Sequence, residues 1–515
     1  MTAVPVSIAQ HYHQRTKYLP EVLASRSRQL NWAEQPVPYK DYRLGHSIDL
    51  KPYLEANVAA AADSVWWQRL SQFLINSYGL TAKVMADRPF YLRSAPSAGG
   101  LYPAELYLVS RGTSLLSAGL YNYQARTHSL LRFWDNHLWQ ALQAACFWHP
   151  ALESTQLAVV VTAVFQRSAW RYEDRAYRRI GLDSGHLLGN LELAGSLCDY
   201  RPHLIGGFAD RAVNQLLYLD AEQEGAIAVL ALADLLQVEQ NLPHGCTALP
   251  SAAQRDFPEL RDGQLLHYLH QAGQIDADSD LTQPQKQLKT DAAASDVADS
   301  GSDKYNFPFC NKVSAQTAPI DWETGLSGLQ TTLLRRRSTR RYSGNSLTAD
   351  SLRQILDFTY QPAHYADQGL DRQPDYFDLS LIETFVVISA VEGVEAGCYY
   401  YAPQAQALRQ IRFKQFRQEL HYLCLGQNLG RDAAAVIFHT ADLTQAVDRY
   451  GDRAYRYLHM DAGHLGQRIN LAAIRLGLGV SGIAGFFDDQ VNEVLGIPAD
   501  EAVLYITTLG QPAAA

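Results

Sequence analysis

Apolar side chains at Leu458, Ala462, Leu465, Ile469, Ala472 and Leu476 recur alternately four and three residues apart. That is the spacing of one buried helical face and predicts a long helix near the end of the chain. A twin of the pattern starts near Ile180. Short β-branched runs predict strands: "AELYLVS", "LAVVVTAVF" and "AIAVLALA" in the first half, "ETFVVIS", "AAVIFHT" and "AVLYITTL" in the second. "SLTADSLRQIL", from Ser346, reads as the start of another helix. The expected fold is α+β, with helices wrapped around antiparallel or mixed sheets.

The two halves also share residues. "RAYRRIGLDSGHLLGN" begins at Arg175 and "RAYRYLHMDAGHLGQR" at Arg453, an offset of 278 positions. The same offset relates "GGFADRAVNQLL" (from Gly206) to "AGFFDDQVNEVL" (from Ala484), and "GLYNYQARTHSLLRF" (from Gly119) to "GCYYYAPQAQALRQI" (from Gly397). Three segments in one gap-free register identify two copies of one domain. The expected division is an N-terminal extension at 1–50, a first copy at 51–240, a linker at 241–320 and a second copy at 321–515. The stretch around 275–305 is rich in Asp, Ser, Ala and Gln and is expected to be disordered. "ELRDGQLLHYLHQAG", just before it, has helical periodicity.

Composition then excludes several classes. A net charge of −9 without a basic stripe argues against nucleic acid as a partner. No apolar run reaches the roughly 20 residues of a bilayer span, and no leader pattern opens the chain, so a soluble cytoplasmic protein without a membrane partner is expected. The six cysteines are scattered without paired spacing, which fits a reducing compartment. His11 and His13 lack carboxylate or Cys support, so no metal site is expected.

Four segments carry a family resemblance: "YHQRTKY" from Tyr12, "PSAGGLYPAELYLV" from Pro96, "RRRSTRRYSG" from Arg335, and the series "RYGDRAYRY…DAGHLGQ…LGLG…GFFDD" from Arg449. In this order and spacing the chain resembles the SagB/ThcOx-type dehydrogenases (azoline oxidases) of the nitroreductase-like FMN flavoprotein superfamily. The resemblance implies a dimeric α+β fold with FMN at the domain interface, here an internal pseudo-dimer of nitroreductase-like domains. It also implies oxidation of azoline rings to thiazoles or oxazoles in a ribosomally made peptide. The modified peptide is then the expected partner, together with a heterocyclase, and further homo-oligomers remain open.

The residues are compatible with that cofactor. A phosphate of about two negative charges suits guanidinium and hydroxyl donors, which Arg336, Arg337, Ser338 and Arg340 offer. The plain alternative for that run is a solvated basic face or a processing site. Pro96, Ser97, Ala98, Gly99 and Gly100 form a small-residue loop able to bring backbone close to a flat ring. By the resemblance, this loop and the backbone of Val480, Ser481, Gly482 and Ile483 flank the flavin. Gly477, Gly479 and Gly482 spell a GxGxxG pattern, but a helix precedes it where a dinucleotide motif needs a strand.

The copies differ at these motifs. Opposite "PSAGGLYP" stands "PDYFDLSL" from Pro374, and opposite the Arg cluster stands "KPYLEANVAAAAD" from Lys51. Each copy keeps the half the other has lost, which predicts one composite FMN site. The family's Lys-Tyr pair matches Arg171-Tyr172 and Arg449-Tyr450, and its implied role is to take the proton released as a hydride passes to the flavin. Arg cannot serve as a neutral base, which moves that expectation to Tyr, with an adjacent cation favouring the phenolate. Superfamily geometry favours Tyr172 over Tyr450. His186 and His464 recur on the core helix in both copies and read as structural. The rival functions are an NAD(P)H-dependent nitroreductase or flavin reductase, and a non-catalytic scaffold of a peptide-modifying complex.

Overall fold

A computed structural model describes residues 5–25, 29–55, 62–85, 89–135, 137–237, 248–276, 303–307 and 309–514. Two seven-stranded antiparallel sheets organise them. In spatial order the first runs His46–Asp49, Ser129–Trp134, Gly119–Gln124, Ala104–Ser110, Leu157–Val164, Glu224–Asp234 and Tyr200–Ile205. The second runs Lys312–Ser314, Ala407–Arg412, Gly397–Ala402, Glu383–Ile388, Ala435–Asp442, Glu501–Gly510 and Gly479–Ile483. Connectivity is the same in both, so the duplication read from sequence is a duplication of topology. Strands such as Leu157–Val164 are buried along almost their whole length because helices cover both faces. This is why they read as continuous apolar runs rather than alternating ones.

The central helix of each copy, Ala176–Leu197 and Ala454–Arg475, packs against the other along the middle of the molecule. They cross at the repeated glycines Gly185 and Gly463. A Cβ on Gly185 would fall 2.1 Å from the Met460 carbonyl oxygen, and one on Gly463 would fall 2.3 Å from that of Leu182. The two copies therefore form an internal pseudo-dimer around this crossing.

Buried charge joins the copies on either side of it. Asp488 of the second copy accepts from Arg175 at 3.0 Å and Arg178 at 2.6 Å. The counterpart, Asp210 of the first copy, accepts from Arg453 and, at 3.0 Å, from Arg456. Both triads lie within the repeated segments.

The remaining described chain straps the junction. Helix Ile8–Arg15 opens with a capping box at Ser7 and Gln10, and the Ile8 N–H donates to the Gln254 carbonyl. Helix Leu265–Ala272, inside the segment read as linker, follows the predicted periodicity and packs its Leu265, Leu266 and Leu269 into the core. The stretch expected to be disordered falls mostly at 277–302, outside the described residues.

Candidate functional site

A cleft of about 170 Å³ opens between the copies. The first copy contributes Pro96, Ser97, Ala98, Gly99, Gly100, Arg179, Leu182, Asp183 and His186. Ser338, Arg340, Asn470, Ser481, Gly482, Ala484 and Tyr505 come from the second.

The loop from Pro96 is held from beneath. Asp183, on the central helix, accepts from Ser97 Oγ at 2.6 Å and from the Ala98 N–H at 3.0 Å. Burial pushes its carboxyl up to about 7, against the pull of those hydrogen bonds and of Arg179. Gly99 and Gly100 both have φ of 67°, the left-handed region that glycine enters without strain. A Cβ on Gly99 would lie 2.9 Å from Tyr172 Oη and 3.4 Å from Arg171 Cδ, whereas around Gly100 the space is open. Tyr172 and Arg171 thus sit against the loop, and the Arg179 guanidinium covers the Tyr172 ring at 3.8 Å. Despite these cations, burial dominates and raises the Tyr172 phenol above its ordinary pKa. Arg179 and Arg171 do favour the phenolate, as an adjacent cation should, but burial outweighs them.

The basic run of the second copy divides. Arg336 is buried and donates to the carbonyls of Ser94 and Arg93. Burial holds its guanidinium at about 10. Arg337 donates to Thr81 Oγ1 at 3.0 Å and to the Thr81 carbonyl at 2.9 Å. Both fasten the second copy to the strands that precede the Pro96 loop. Ser338 and Arg340 line the cleft, and among the described residues Arg340 is exposed and makes no hydrogen bond or ion pair. Strand Gly479–Ile483 forms the far wall: Ser481 and Gly482 face the cleft, while Val480 and Ile483 are buried in the core. A Cβ on Gly482 would lie 1.8 Å from Tyr505 Oη, so a larger residue there would displace the Tyr505 ring.

Several lining residues were not singled out as ligands in the sequence: Arg179, Asp183, Asn470 and Tyr505. His186 matches its structural reading, bonded to Gln467 Oε1 and Tyr505 Oη, each at 2.9 Å.

At the pseudo-equivalent place the same scaffold encloses side chains. Asp461, counterpart of Asp183, accepts from the N–H groups of Phe377 at 3.0 Å and Asp378 at 2.8 Å. Tyr376 stacks on His464 at 4.2 Å and Phe377 on Tyr457 at 4.5 Å. Phe377 and Leu249 also pack directly over Gly206 and Gly207. Tyr450 donates to Asp378 at 2.9 Å, and Arg449 pairs with the same carboxylate. Tyr450 and Arg449 therefore stand apart from the cleft.

A tandem pair of helix-wrapped antiparallel sheets with a cleft at their junction defines a nitroreductase-like oxidoreductase fold. The chain belongs to the Nitroreductase family, whose profile matches residues 55–233 and 333–511, once in each copy. It is 32% identical over 169 residues to a nitroreductase-type protein of Methanocaldococcus jannaschii, covering 33% of this chain and 84% of that one. One copy here thus corresponds to nearly all of that relative. A nitroreductase-type protein from Anabaena variabilis, solved by crystallography at 1.80 Å resolution, is 65% identical with a TM-score of 0.93. That similarity covers 99% of this chain and all of the other, so it extends over both copies. Among the described residues no helix is long and apolar enough to cross a membrane, and no group of three His, Cys, Asp or Glu side chains could hold a metal ion.

Proposed function

We propose that the chain is an FMN-dependent oxidoreductase with one composite flavin site in the Pro96–Arg340 cleft. The observation that carries this reading is the asymmetry of two pseudo-equivalent places: one is open and lined with donors, its twin is filled by Tyr376, Phe377 and Leu249. The open cleft suits the group chemically. Arg340 and Arg179 bring positive charge, Ser338, Ser481 and Asn470 bring hydrogen-bonding side chains, and the glycine loop lets backbone approach a planar ring. In this reading Ser338 and Arg340 hold the phosphate, while Arg336 and Arg337 secure the segment that presents them. When bound, FMN supplies a two-electron acceptor.

The substrate class follows from the sequence resemblance: an azoline in a ribosomally made peptide, oxidised to the azole by loss of two hydrogens. In this reading Tyr172, whose Oη lies beside Gly99, would hold or move the departing proton, with Arg171 as its charged neighbour. The raised phenol is protonated at neutral pH, so it takes up that proton only with help from an adjacent base or water.

Denaturing the purified protein and quantifying released FMN tests the site: a ratio near one per chain is expected, and a ratio near two overturns the single-site reading. Expressing either copy alone should abolish FMN binding, because neither carries both walls. Loss of two hydrogens from an azoline peptide, read by mass spectrometry, tests the substrate. Rapid anaerobic bleaching by NADPH without peptide oxidation would favour the nitroreductase or flavin reductase reading, which the family membership supports. Failure to take up added FMN would favour a scaffold.

A further inference from the structure

The pseudo-dimer contains an internal control. The arm from Ile8 to Tyr18 and the arm from Leu265 to Ile275 approach the two pseudo-equivalent places in the same way. His13 Nδ1 meets Tyr455 Oη at 3.1 Å, and His270 Nδ1 meets Tyr177 Oη at 3.2 Å. Arg175 donates to the Thr16 carbonyl as Arg453 does to that of Gly273. The Tyr18 N–H donates to Asp488 at 3.1 Å, and the Ile275 N–H to Asp210 at 2.9 Å. Tyr18 and Ile275 therefore occupy one position in two copies of a scaffold.

What differs is the pair facing the ligand side. At the filled place the arm carries Ile275 and the central helix carries Tyr457, whose hydroxyl lies within hydrogen-bond distance of the carbonyls of Gly206 and Leu249. At the open cleft Tyr18 accompanies Arg179, Tyr457's counterpart, with the phenol oxygen 3.5 Å from Arg179 Nη2. Arg179 is thus enclosed between Tyr18 and the ring of Tyr172, while its guanidinium forms part of the cleft wall. The scaffold shared by the two copies accounts for the backbone bonds, but it does not require a phenol, because isoleucine serves in the other copy.

We propose that Tyr18 is a positioning residue of the cleft, which through its hydroxyl fixes Arg179 and sets the positive charge that Arg179 presents to an anionic cofactor. The proposal rests on the cleft being the FMN site. Tyr18 faces Arg175 from the turn before the central helix, Arg178 and Arg179 from that helix, Asp488 from helix Asp488–Leu495, Tyr172 from helix Phe165–Tyr172, and the adjacent Lys17–Asp489 ion pair. The arginines outnumber the buried carboxylate. Burial raises a phenol's pKa, yet here Arg179, Arg175 and Arg178 more than offset it, leaving Tyr18 below its ordinary value. As pH rises through that value, the new phenolate cancels part of the charge at Arg179, so anion affinity falls.

The test is an FMN titration of flavin-stripped full-length protein from about pH 7.5, above the phosphate's second ionisation near 6, to about pH 10, the ordinary tyrosine value below which Tyr18 ionises. Wild type should lose affinity several-fold across the range. Tyr18→Phe, which keeps the ring, and Tyr18→Ile, which copies the other arm, should give nearly flat profiles. In parallel, each variant should lack one tyrosinate in the ultraviolet difference spectrum at the alkaline end of the range. An unchanged decline in Tyr18→Phe overturns the proposal whatever the absorbance shows. If wild type binds no FMN at any pH, the reading of the cleft fails. The proposal for Tyr18 then falls with it, and the tyrosinate titration reports only whether Tyr18 ionises below its ordinary value.

Discussion

Asp183 is a buried carboxylate that anchors the glycine loop, and its counterpart Asp461 anchors the aromatic segment at the filled place. Burial raises both to about 7. From about pH 4 to about pH 7 the native state therefore holds protons that the unfolded chain has released, so stability falls as pH rises through this window and levels off above it. Asp183→Asn keeps an acceptor for the Ala98 N–H but does not titrate. Its melting temperature should decline less than that of wild type between these pH values, with Asp461 supplying the remaining slope; an unaltered slope counts against the raised carboxyl. The loop that Asp183 holds was legible in sequence because Ser97, Gly99 and Gly100 form a run of small residues. Asp183, Arg179 and Asn470 were not, since each is one polar position within a buried helix. The usable signal was recurrence, as Asp183 and Asp461 stand at the same place in the repeat.

At the scale of elements, the crossing of the two central helices depends on backbone contact. Gly185→Val would place a branched side chain where even a Cβ lies 2.1 Å from the Met460 carbonyl oxygen. The helices must part, at a cost of about 1–3 kcal/mol or more, which overrides the small gain in helix propensity that replacing glycine by valine would otherwise bring. A denaturant midpoint close to wild type would show that the crossing is looser than this. Flavin retention should fall with it, because Asp183 and Asn470 reach the cleft from opposite members of the pair. Both helices and six strands were readable from periodicity and β-branched runs. Gly119–Gln124 and Ser129–Trp134, rich in aromatic and polar residues, were visible as a repeat but not as strands. Tyr200–Ile205 carries Pro202, a residue confined to sheet edges, and it is an edge strand. Its counterpart Gly479–Ile483 has glycine at Gly479 and Gly482, where neighbouring side chains crowd the backbone.

Across the whole molecule, the pseudo-dimer is symmetric in what holds it together and asymmetric in what it encloses. The Arg-Asp-Arg triads at Asp488 and Asp210 are equivalent in composition, burial and reach between copies. Removing either carboxylate leaves two buried guanidiniums unpaired, for which a loss of about 3–5 kcal/mol is the expected scale. Asp488→Ala and Asp210→Ala should therefore destabilise the chain to similar degrees. Burial would raise Asp488, but Arg175 and Arg178 override it and hold this carboxyl well below the usual range. Its contribution is thus complete above about pH 4 and is lost as pH falls through the lower, native value. Cofactor binding should separate the two variants. Asp488 accepts the Tyr18 N–H beside the open cleft, whereas Asp210 accepts the Ile275 N–H beside the filled place. Measured below the unfolding transition, FMN affinity should drop in Asp488→Ala and stay near wild type in Asp210→Ala. Equal losses in the two would mean that the junction responds as one body, and the cleft would then owe its asymmetry to its lining residues alone.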